Sequence, residues 1–278
     1  MLFRSSGEAD RAVLGAITER LYWMSTHLVE DAARPDFERF ARWFFLPHFS
    51  ALGWQTQPGD TADDRQRRAI AIAALGELAA DADVAAEAER RLARYLDEPR
   101  SIDPDLASAV VGIAARGGDA ALYERYLARK RAAASDPEEE QRFLFGLTAF
   151  EDPELVQRTL DLTLSDDVRP QDRAHLFARL LGSRAARLGA WAFVRDRWAE
   201  ITERLDPMLQ QNIVRGLAQL TPESTAKEVC AFLPRRATHE TRETISQTIE
   251  QLAIDAAVCR RVAPALTAAL RQLAEQRR

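Results

Sequence analysis

The sequence predicts an all-α protein, specifically an α-solenoid of antiparallel helical hairpins of the HEAT or armadillo kind with about a dozen helices. Apolar residues recur at helical spacing almost throughout, as in Leu14, Ile17 and Leu21. Strong helix formers, namely Ala, Leu, Arg and Glu, dominate the composition. Alternating β-branched runs bounded by Asn-Gly or Asp-Gly turns are absent, so the sequence indicates no strand.

Prolines mark the predicted helix starts. Five of them follow a residue whose side chain can cap a helix, and these pairs are Asp103-Pro104, Asp136-Pro137, Asp152-Pro153, Asp206-Pro207 and Thr221-Pro222. The capping oxygen accepts from a backbone N–H that has no partner within the helix, and proline at the first helical position loses no donor that the helix needs. Asp136 and Glu139 also have the spacing of a reciprocal capping box.

The intervals between these starts leave room for helices of about three turns joined by short turns, so neighbouring helices must run antiparallel. In chain order we expect helices at residues 8–30, 35–51, 61–79, 83–97, 104–116, 119–134, 137–149, 153–164, 170–182, 184–204, 207–219, 222–233 and 239–275, the last broken near Pro264. The clearest loop is Gln55 to Asp60. No low-complexity linker divides the chain, so residues 1–278 are predicted to form one helical-array domain.

The charge and hydropathy of the chain exclude several classes of protein. The net charge of −5 argues against a nucleic-acid partner, since such partners are met by concentrated positive surfaces. The longest apolar run, Ala69 to Leu75, is far shorter than the ~20 residues that cross a bilayer, and the first residues lack a signal-type apolar core. We therefore expect a cytoplasmic protein with neither nucleic-acid nor membrane partners.

Motifs that carry chemistry are missing from the sequence. There is no G-x-S-x-G and no glycine-rich phosphate loop. The nearest approach to a zinc motif is His239 with Glu240, but Glu243 stands where H-E-x-x-H requires the second histidine. A metalloenzyme built on these three residues stays an alternative that tightly bound zinc would support, and we assign no metal and no cofactor to this chain.

Two groups of aromatic residues are predicted first of all to pack in the core. One is a stripe at helical spacing that contains Trp191 and Trp198. The other is a dense cluster between Phe37 and Trp54, which is either a deep core or a surface that another domain covers. Cys230 and Cys259 lie in apolar helical patterns, which favours buried thiols over a disulfide.

Several stretches, taken in series, resemble the C-terminal helical domain of zinc aminopeptidases of the aminopeptidase N type, including the endoplasmic-reticulum and puromycin-sensitive enzymes. In the first half they are Leu52-Gly53-Trp54 with Asp60, Arg65 and Arg68, then Asp103-Pro104-Asp105-Leu106 and Gly118-Asp119. In the second half they are Gln141-Arg142-Phe143-Leu144-Phe145-Gly146-Leu147, Val168-Arg169-Pro170-Gln171-Asp172 and Gly189-Ala190-Trp191-Ala192-Phe193-Val194, with Trp198 beyond. The resemblance runs from about Arg11 to Ala256.

The resemblance implies a curved helical domain that closes over a thermolysin-like catalytic domain and walls the chamber holding the peptide. The family's H-E-x-x-H helix, its glutamate ligand and its G-A-M-E-N sequence are all missing here. We therefore expect a non-catalytic fragment or truncated product whose partners are a peptide substrate and the catalytic domain of the same parent enzyme. Zinc is expected in that absent domain. A free-standing α-solenoid that serves as a protein-binding scaffold is the alternative, and a reading frame that begins at Met1 would favour it.

Three residues are candidates for substrate binding. A wall that receives a peptide needs fixed positive charge and hydrogen-bond donors, and Arg142 and Arg169 supply both within the resembling stretches. Tyr123 is a third and weaker candidate. The alternatives are structural: Arg142 can pair with Glu138 or Glu139 along its own helix, and Arg169 with Gln171 can serve helix capping.

Overall fold

The computed structural model describes residues 10–276, and over them the protein is all-α, as predicted, with no strand. Its helices are α1 Arg11–His27, α2 Arg34–Leu52, α3 Ala62–Glu77, α4 Ala82–Asp97, α5 Pro104–Arg116, α6 Ala120–Ala132, α7 Pro137–Gly146, α8 Pro153–Thr163, α9 Pro170–Gly182, α10 Arg187–Asp196, α11 Trp198–Arg204, α12 Pro207–Gly216, α13 Glu223–Phe232 and α14 Arg242–Glu275. Short 3₁₀ segments include Pro99–Ser101 and Leu147–Ala149. None of the helices within residues 10–276 is both long and apolar enough to cross a membrane.

Over the described residues the helices form two compact units, one of residues 10–146 with 263–276 and the other of residues 147–262. In unit 1, helix α3 packs against α1 and α5, and α5 packs against α7. Helices α1, α3, α5 and α7 thus form a row. Helix α2 packs on α3, α4 packs on α5, and α6 packs on α7. A row of alternate helices, with each intervening helix packed on the next member of the row, is typical of stacked hairpins.

Unit 2 is built around α9, which packs against α8, α10 and α12. Its core contains Trp191, Phe193, Ile201, Ile213 and Val229, all buried. Trp198 lies against this core, with its ring centroid 5.6 Å from that of Phe232. Core packing of the aromatic stripe that contains Trp191 and Trp198 is therefore confirmed. In unit 1 the cluster between Phe37 and Trp54 contributes to the core through Phe37, Phe44 and Phe45, which are fully buried, while its other aromatic residues are partly exposed.

Most predicted caps are present. Asp103 accepts from the backbone N–H of Asp105 at 3.0 Å, and Asp206 accepts from that of Leu209 at 3.0 Å. Asp152 accepts from the N–H groups of Glu154 and Leu155 at 2.9 and 3.2 Å. These oxygens satisfy donors that the first helical turn leaves without a carbonyl partner, and they fix where α5, α8 and α12 begin.

Four local predictions are wrong. Pro222 itself occupies the cap position of α13, so Thr221 is one residue too early to cap it. Asp136 accepts from the N–H of Glu139 at 3.2 Å, but the Glu139 carboxylate bonds other side chains, so it does not complete the capping box. The single helix predicted at 184–204 is two helices separated at Arg197, whose ψ of 21° interrupts the turn. Helix α14 continues through Pro264 without a break.

The loop after α2 is held by a buried arginine. Arg68 on α3 has 1% of its surface exposed, and its guanidinium donates to the carbonyl of Leu52 at 3.2 Å and to Asp60. The loop begins at Gly53, whose φ of 59° is a conformation that favours glycine. The side chain of Arg68 therefore substitutes for the regular backbone bonds that this segment lacks.

Candidate functional site

A pocket of about 430 Å³ lies in unit 1, where the C-terminal ends of α4 and α6 meet the segment before α5 and the first turns of α7. Its lining carries charges of both signs, contributed by Arg100, Arg129, Arg142, Asp136, Glu138 and Glu139. Another part of the lining is apolar and is formed by Pro99, Ile102, Pro104, Ala107, Ala132 and Ala133. Pockets of a few hundred Å³ with apolar walls and a few convergent polar groups are typical of small-molecule sites.

Glu139 is the centre of the charged part of the pocket. It lies on the first turn of α7 and has 8% of its surface exposed. Its Oε1 accepts from Nη2 of Arg129 at 2.8 Å, and its Oε2 accepts from Arg142 and from the hydroxyl of Tyr95. Both carboxylate oxygens are thus occupied, as a buried carboxylate requires.

Tyr95 connects α4 to this network. Its hydroxyl donates to Glu139 and accepts from Nη1 of Arg142 at 2.9 Å, and its ring stacks on that of Phe143 with centroids 5.8 Å apart. Burial, and then the hydrogen bond to Glu139, raise the pKa of Tyr95 to about 12. The phenol is therefore neutral near pH 7 and acts as a hydrogen-bond relay between Arg142 and Glu139.

Arg142 pairs with Glu138 and Glu139 on its own helix, which is the structural alternative predicted from the sequence. It pairs with Glu139, and its Nη2 lies 2.8 Å from Oε1 of Glu138. The two acids differ in environment, since the side chain of Glu138 is 81% exposed and that of Glu139 is 10% exposed. Arg142 also lines the pocket, so the two interpretations of this residue do not exclude each other.

Arg169 belongs to unit 2 and occupies the cap position of α9. Its side chain makes no capping hydrogen bond. Its Nε lies 3.6 Å from Oδ2 of the buried Asp172, and 42% of the side chain is exposed. The Arg169 side chain therefore serves the helix start through an ion pair, and it is partly exposed to solvent.

Tyr123 lies in unit 1 on the first turn of α6 and has 1% of its surface exposed. It does not belong to the pocket lining given above. Its burial indicates that its contribution is to packing, and its binding of substrate stays a prediction.

The histidine motif does not form the geometry that metal binding on one helix would need. His239 lies in the turn before α14 and Glu243 in its first turn, so the two do not share a helix. Within residues 10–276 there is no group of three or more His, Cys, Asp or Glu side chains that could hold a metal ion.

Sequence reasoning missed Tyr95, Arg100 and Arg129 as members of the pocket. Tyr95 and Glu139 are 44 positions apart, and Arg129 and Glu139 are 10 apart across a helix boundary. The spacing of residues along one helix cannot predict contacts between different helices. The one available signal is the acidic run Glu138 to Glu140 placed before Arg142, which shows that this helix start concentrates charge.

Comparisons with known proteins identify a family for this sequence. The family model described as ERAP1-like C-terminal domain matches residues 1–254. Aminopeptidase M1-C of Oryza sativa subsp. japonica is 26% identical over 270 residues, which are 92% of this chain and 30% of that protein. Alanine/arginine aminopeptidase of Saccharomyces cerevisiae is 27% identical over 77% of this chain and 25% of its own length. Aminopeptidase N of Lactococcus lactis subsp. cremoris is 24% identical over 84% of this chain and 28% of its own length.

This chain therefore spans less than a third of the length of these relatives. The family match covers most of the sequence and includes the stretches around Arg142 and Arg169 that resemble aminopeptidases. The chain belongs to the family of ERAP1-like C-terminal domains.

Proposed function

We propose that this chain is the non-catalytic C-terminal domain of a zinc-dependent aminopeptidase, where it walls the chamber in which a peptide loses its N-terminal residues. The single observation that carries the proposal is the family match over residues 1–254, together with relatives that are named aminopeptidases and of which this chain covers about 30% or less. The remaining length of such an enzyme would hold the catalytic domain and its zinc ligands.

The arrangement of helices supports an enclosing role. In unit 1 the row of α1, α3, α5 and α7 and the helices packed on it follow the pattern of stacked hairpins. We propose that this pattern is part of a HEAT-like or armadillo-like solenoid, since such arrays offer extended concave surfaces for binding. A wall of this kind contributes by excluding water and limiting where a substrate lies, which needs no catalytic group of its own.

Arg169 is the candidate peptide contact that the structure leaves most accessible. Its partner Asp172 has 2% of its side chain exposed, whereas 42% of the Arg169 side chain is exposed. A guanidinium in this state can donate to a carboxylate or carbonyl of a peptide without losing its ion pair. The predicted cytoplasmic location, and the predicted lack of nucleic-acid and membrane partners, stay predictions.

The test uses the polypeptide encoded by the complete reading frame that contains this sequence. We expect that frame to encode H-E-x-x-H and a downstream glutamate, and the purified polypeptide to carry stoichiometric zinc. Its hydrolysis of a peptide of about ten residues is compared with that of leucine p-nitroanilide. Arg169→Gln is expected to raise KM for the peptide about fivefold, the magnitude of one charge-assisted hydrogen bond, and to leave the short substrate unchanged.

The matched control is Arg195→Gln, because the Arg195 side chain is 44% exposed and lies in the same unit. It should leave both substrates unaffected. Equal effects of Arg169→Gln and Arg195→Gln on the peptide would remove Arg169 from the proposal. A frame without a catalytic domain, and a purified chain that binds a separate protein but no peptide, would replace the proposal with the free-standing scaffold.

A further inference from the structure

We propose that the pocket between α4 and α7 binds a free α-amino acid with an aliphatic side chain, held as a zwitterion by Arg142 and Glu138. This inference goes beyond the proposed function, since it depends on the pocket alone and not on any catalytic domain. The lining is neutral in sum, with three arginines and three carboxylates, and a ligand that carries one charge of each sign matches it.

One ion pair of the pocket can be opened by a ligand. Both oxygens of Glu139 are occupied by Arg129, Arg142 and Tyr95, and Glu139 is buried. By contrast, the pair between Arg142 and Glu138 has one strongly exposed member, with 81% of the Glu138 side chain in solvent. The Arg142 side chain is only 9% exposed, but it keeps Glu139 and Tyr95 as partners when Glu138 moves away into water. Because Glu138 is already largely hydrated, it can leave Arg142 at low cost while the buried network stays intact.

The short distance between Arg142 and Glu138 favours a zwitterion over a simple anion as the ligand. Nη2 of Arg142 and Oε1 of Glu138 are 2.8 Å apart. The ammonium and carboxylate of one α-amino acid are also adjacent, so a single ligand can insert and give each side chain a new partner of opposite charge. A simple anion would have to displace Glu138 and leave two carboxylates beside one guanidinium, and like charges at short distance repel.

The apolar part of the pocket favours a ligand with an aliphatic side chain. Pro99, Ile102, Pro104 and Ala107 line the apolar part of the same pocket. An aliphatic side chain placed there leaves water, which favours leucine or its neighbours in size over glycine. The volume of about 430 Å³ lies near the lower end of the range for small-molecule pockets, which suits a single amino acid better than a long peptide.

The test is an NMR titration of the full 278-residue chain with four compounds: L-leucine, N-acetyl-L-leucine, L-leucinamide and glycine. We expect L-leucine to bind with a Kd between about 0.1 and 10 mM, a range typical of so small a ligand. The other three compounds lack the ammonium, the carboxylate and the aliphatic group in turn, and each should bind at least about fivefold more weakly than L-leucine.

Two variants assign the site. Glu138→Gln is expected to weaken L-leucine binding about fivefold or more, and its exposure ensures that the variant folds. Glu223→Gln is the matched control, because Glu223 forms the same i,i+4 pair with Lys227 in the other unit, and it should leave the Kd unchanged. Arg142→Gln should abolish binding in a chain that still shows the native spectrum.

Three results would overturn the inference. The first is the absence of L-leucine binding up to about 50 mM, well beyond the expected range. The second is binding of N-acetyl-L-leucine as tightly as L-leucine, which would make the pocket a plain carboxylate site. The third is equal binding by Glu138→Gln and the unchanged chain. None of these results affects the proposed chamber wall, which is tested through Arg169 and the kinetics of the larger polypeptide.

Discussion

At the scale of single residues, the pocket depends on one buried carboxylate. Glu139 receives hydrogen bonds from side chains on three helices, namely Tyr95 on α4, Arg129 on α6 and Arg142 on its own helix α7. Its neighbour Glu138 carries the same charge and contacts the same arginine, but it is mostly in solvent. The two adjacent acids thus have different roles. Glu139 stabilises the packing of three helices, and Glu138 is the proposed contact for the ligand.

Glu139→Gln is expected to lower the free energy of unfolding by about 2–4 kcal/mol, since it leaves Arg129 and Arg142 without the carboxylate that balances their largely buried charges. Glu138→Gln is the control and should change this free energy by less than about 1 kcal/mol, because the Glu138 side chain is mostly in solvent and Arg142 keeps its pairing with Glu139. Urea unfolding followed by circular dichroism measures both. Similar values for the two variants would show that the buried network does not stabilise the unit.

Asp60 gives the loop after α2 a dependence on pH. The backbone N–H of Gln57, and then the guanidinium of Arg68, donate to this carboxylate and hold its pKa below the ordinary value of 3.8. A lowered pKa in the folded state means that the ionised form stabilises the fold. That contribution is complete above the pKa of the unfolded chain and is lost as the pH falls through the lowered pKa of the folded chain.

We therefore expect the difference in stability between the unchanged chain and Asp60→Asn to be constant from pH 7 down to about pH 5 and to shrink below about pH 4. Carbon-detected NMR titration of the Asp60 carboxylate gives the folded pKa directly. A titration midpoint at or above 3.8 would contradict the assignment of these two donors.

At the scale of helices, local chemistry predicted most helix starts. An Asp-Pro pair fixes a boundary through its own atoms, so α5, α8 and α12 begin where the sequence placed them. The prediction that Thr221 caps a helix was wrong because Pro222, which follows it, occupies the cap position of α13. The break expected at Pro264 is absent, and the α14 residues Leu252 and Leu270, on either side of it, are buried, so packing overrides the local cost of proline.

The pocket could not be predicted in the same way. Its members come from four α-helices and the segments between them, and Tyr95 and Glu139 are 44 positions apart. The sequence identified Arg142 by its fixed charge within a stretch that resembles aminopeptidases, and its pairing with Glu138 and Glu139 could be foreseen because it is local to one helix. The contacts that convert this pairing into a pocket depend on how α4, α6 and α7 pack, and that information lies in the tertiary structure.

Helices α3 and α5 approach each other closely at Gly76. A methyl group added at this position would lie 2.5 Å from two atoms of the Ile113 side chain, far inside normal contact. We expect Gly76→Ala to lower the free energy of unfolding by about 1–3 kcal/mol through overpacking. Gly15 is the matched glycine on α1 with nothing within 4 Å of such a methyl group, so Gly15→Ala should instead raise it by up to about 1 kcal/mol.

Thermal unfolding of the two glycine variants separates tight helix packing from helix propensity. A stabilising Gly76→Ala would mean that α3 and α5 are farther apart in solution than the structure places them.

At the scale of the whole molecule, the chain is an all-α member of a family of C-terminal domains, and it spans less than a third of its aminopeptidase relatives. The all-α class was predictable because periodicity and composition act over the entire chain. The family was recognisable from the series of helix starts. The prediction of one continuous domain across residues 1–278 stays a prediction, and its helices group into two compact units.

The central claim is that these helices enclose a peptide whose hydrolysis takes place elsewhere in the same enzyme. Hydrogen exchange of the polypeptide from the complete reading frame, with and without a non-hydrolysable peptide of about ten residues, tests it most directly. We predict slower exchange in helical segments of residues 10–276 as well as in the catalytic domain when the peptide is bound. Protection confined to the catalytic domain, with unchanged exchange throughout residues 10–276, would contradict the claim.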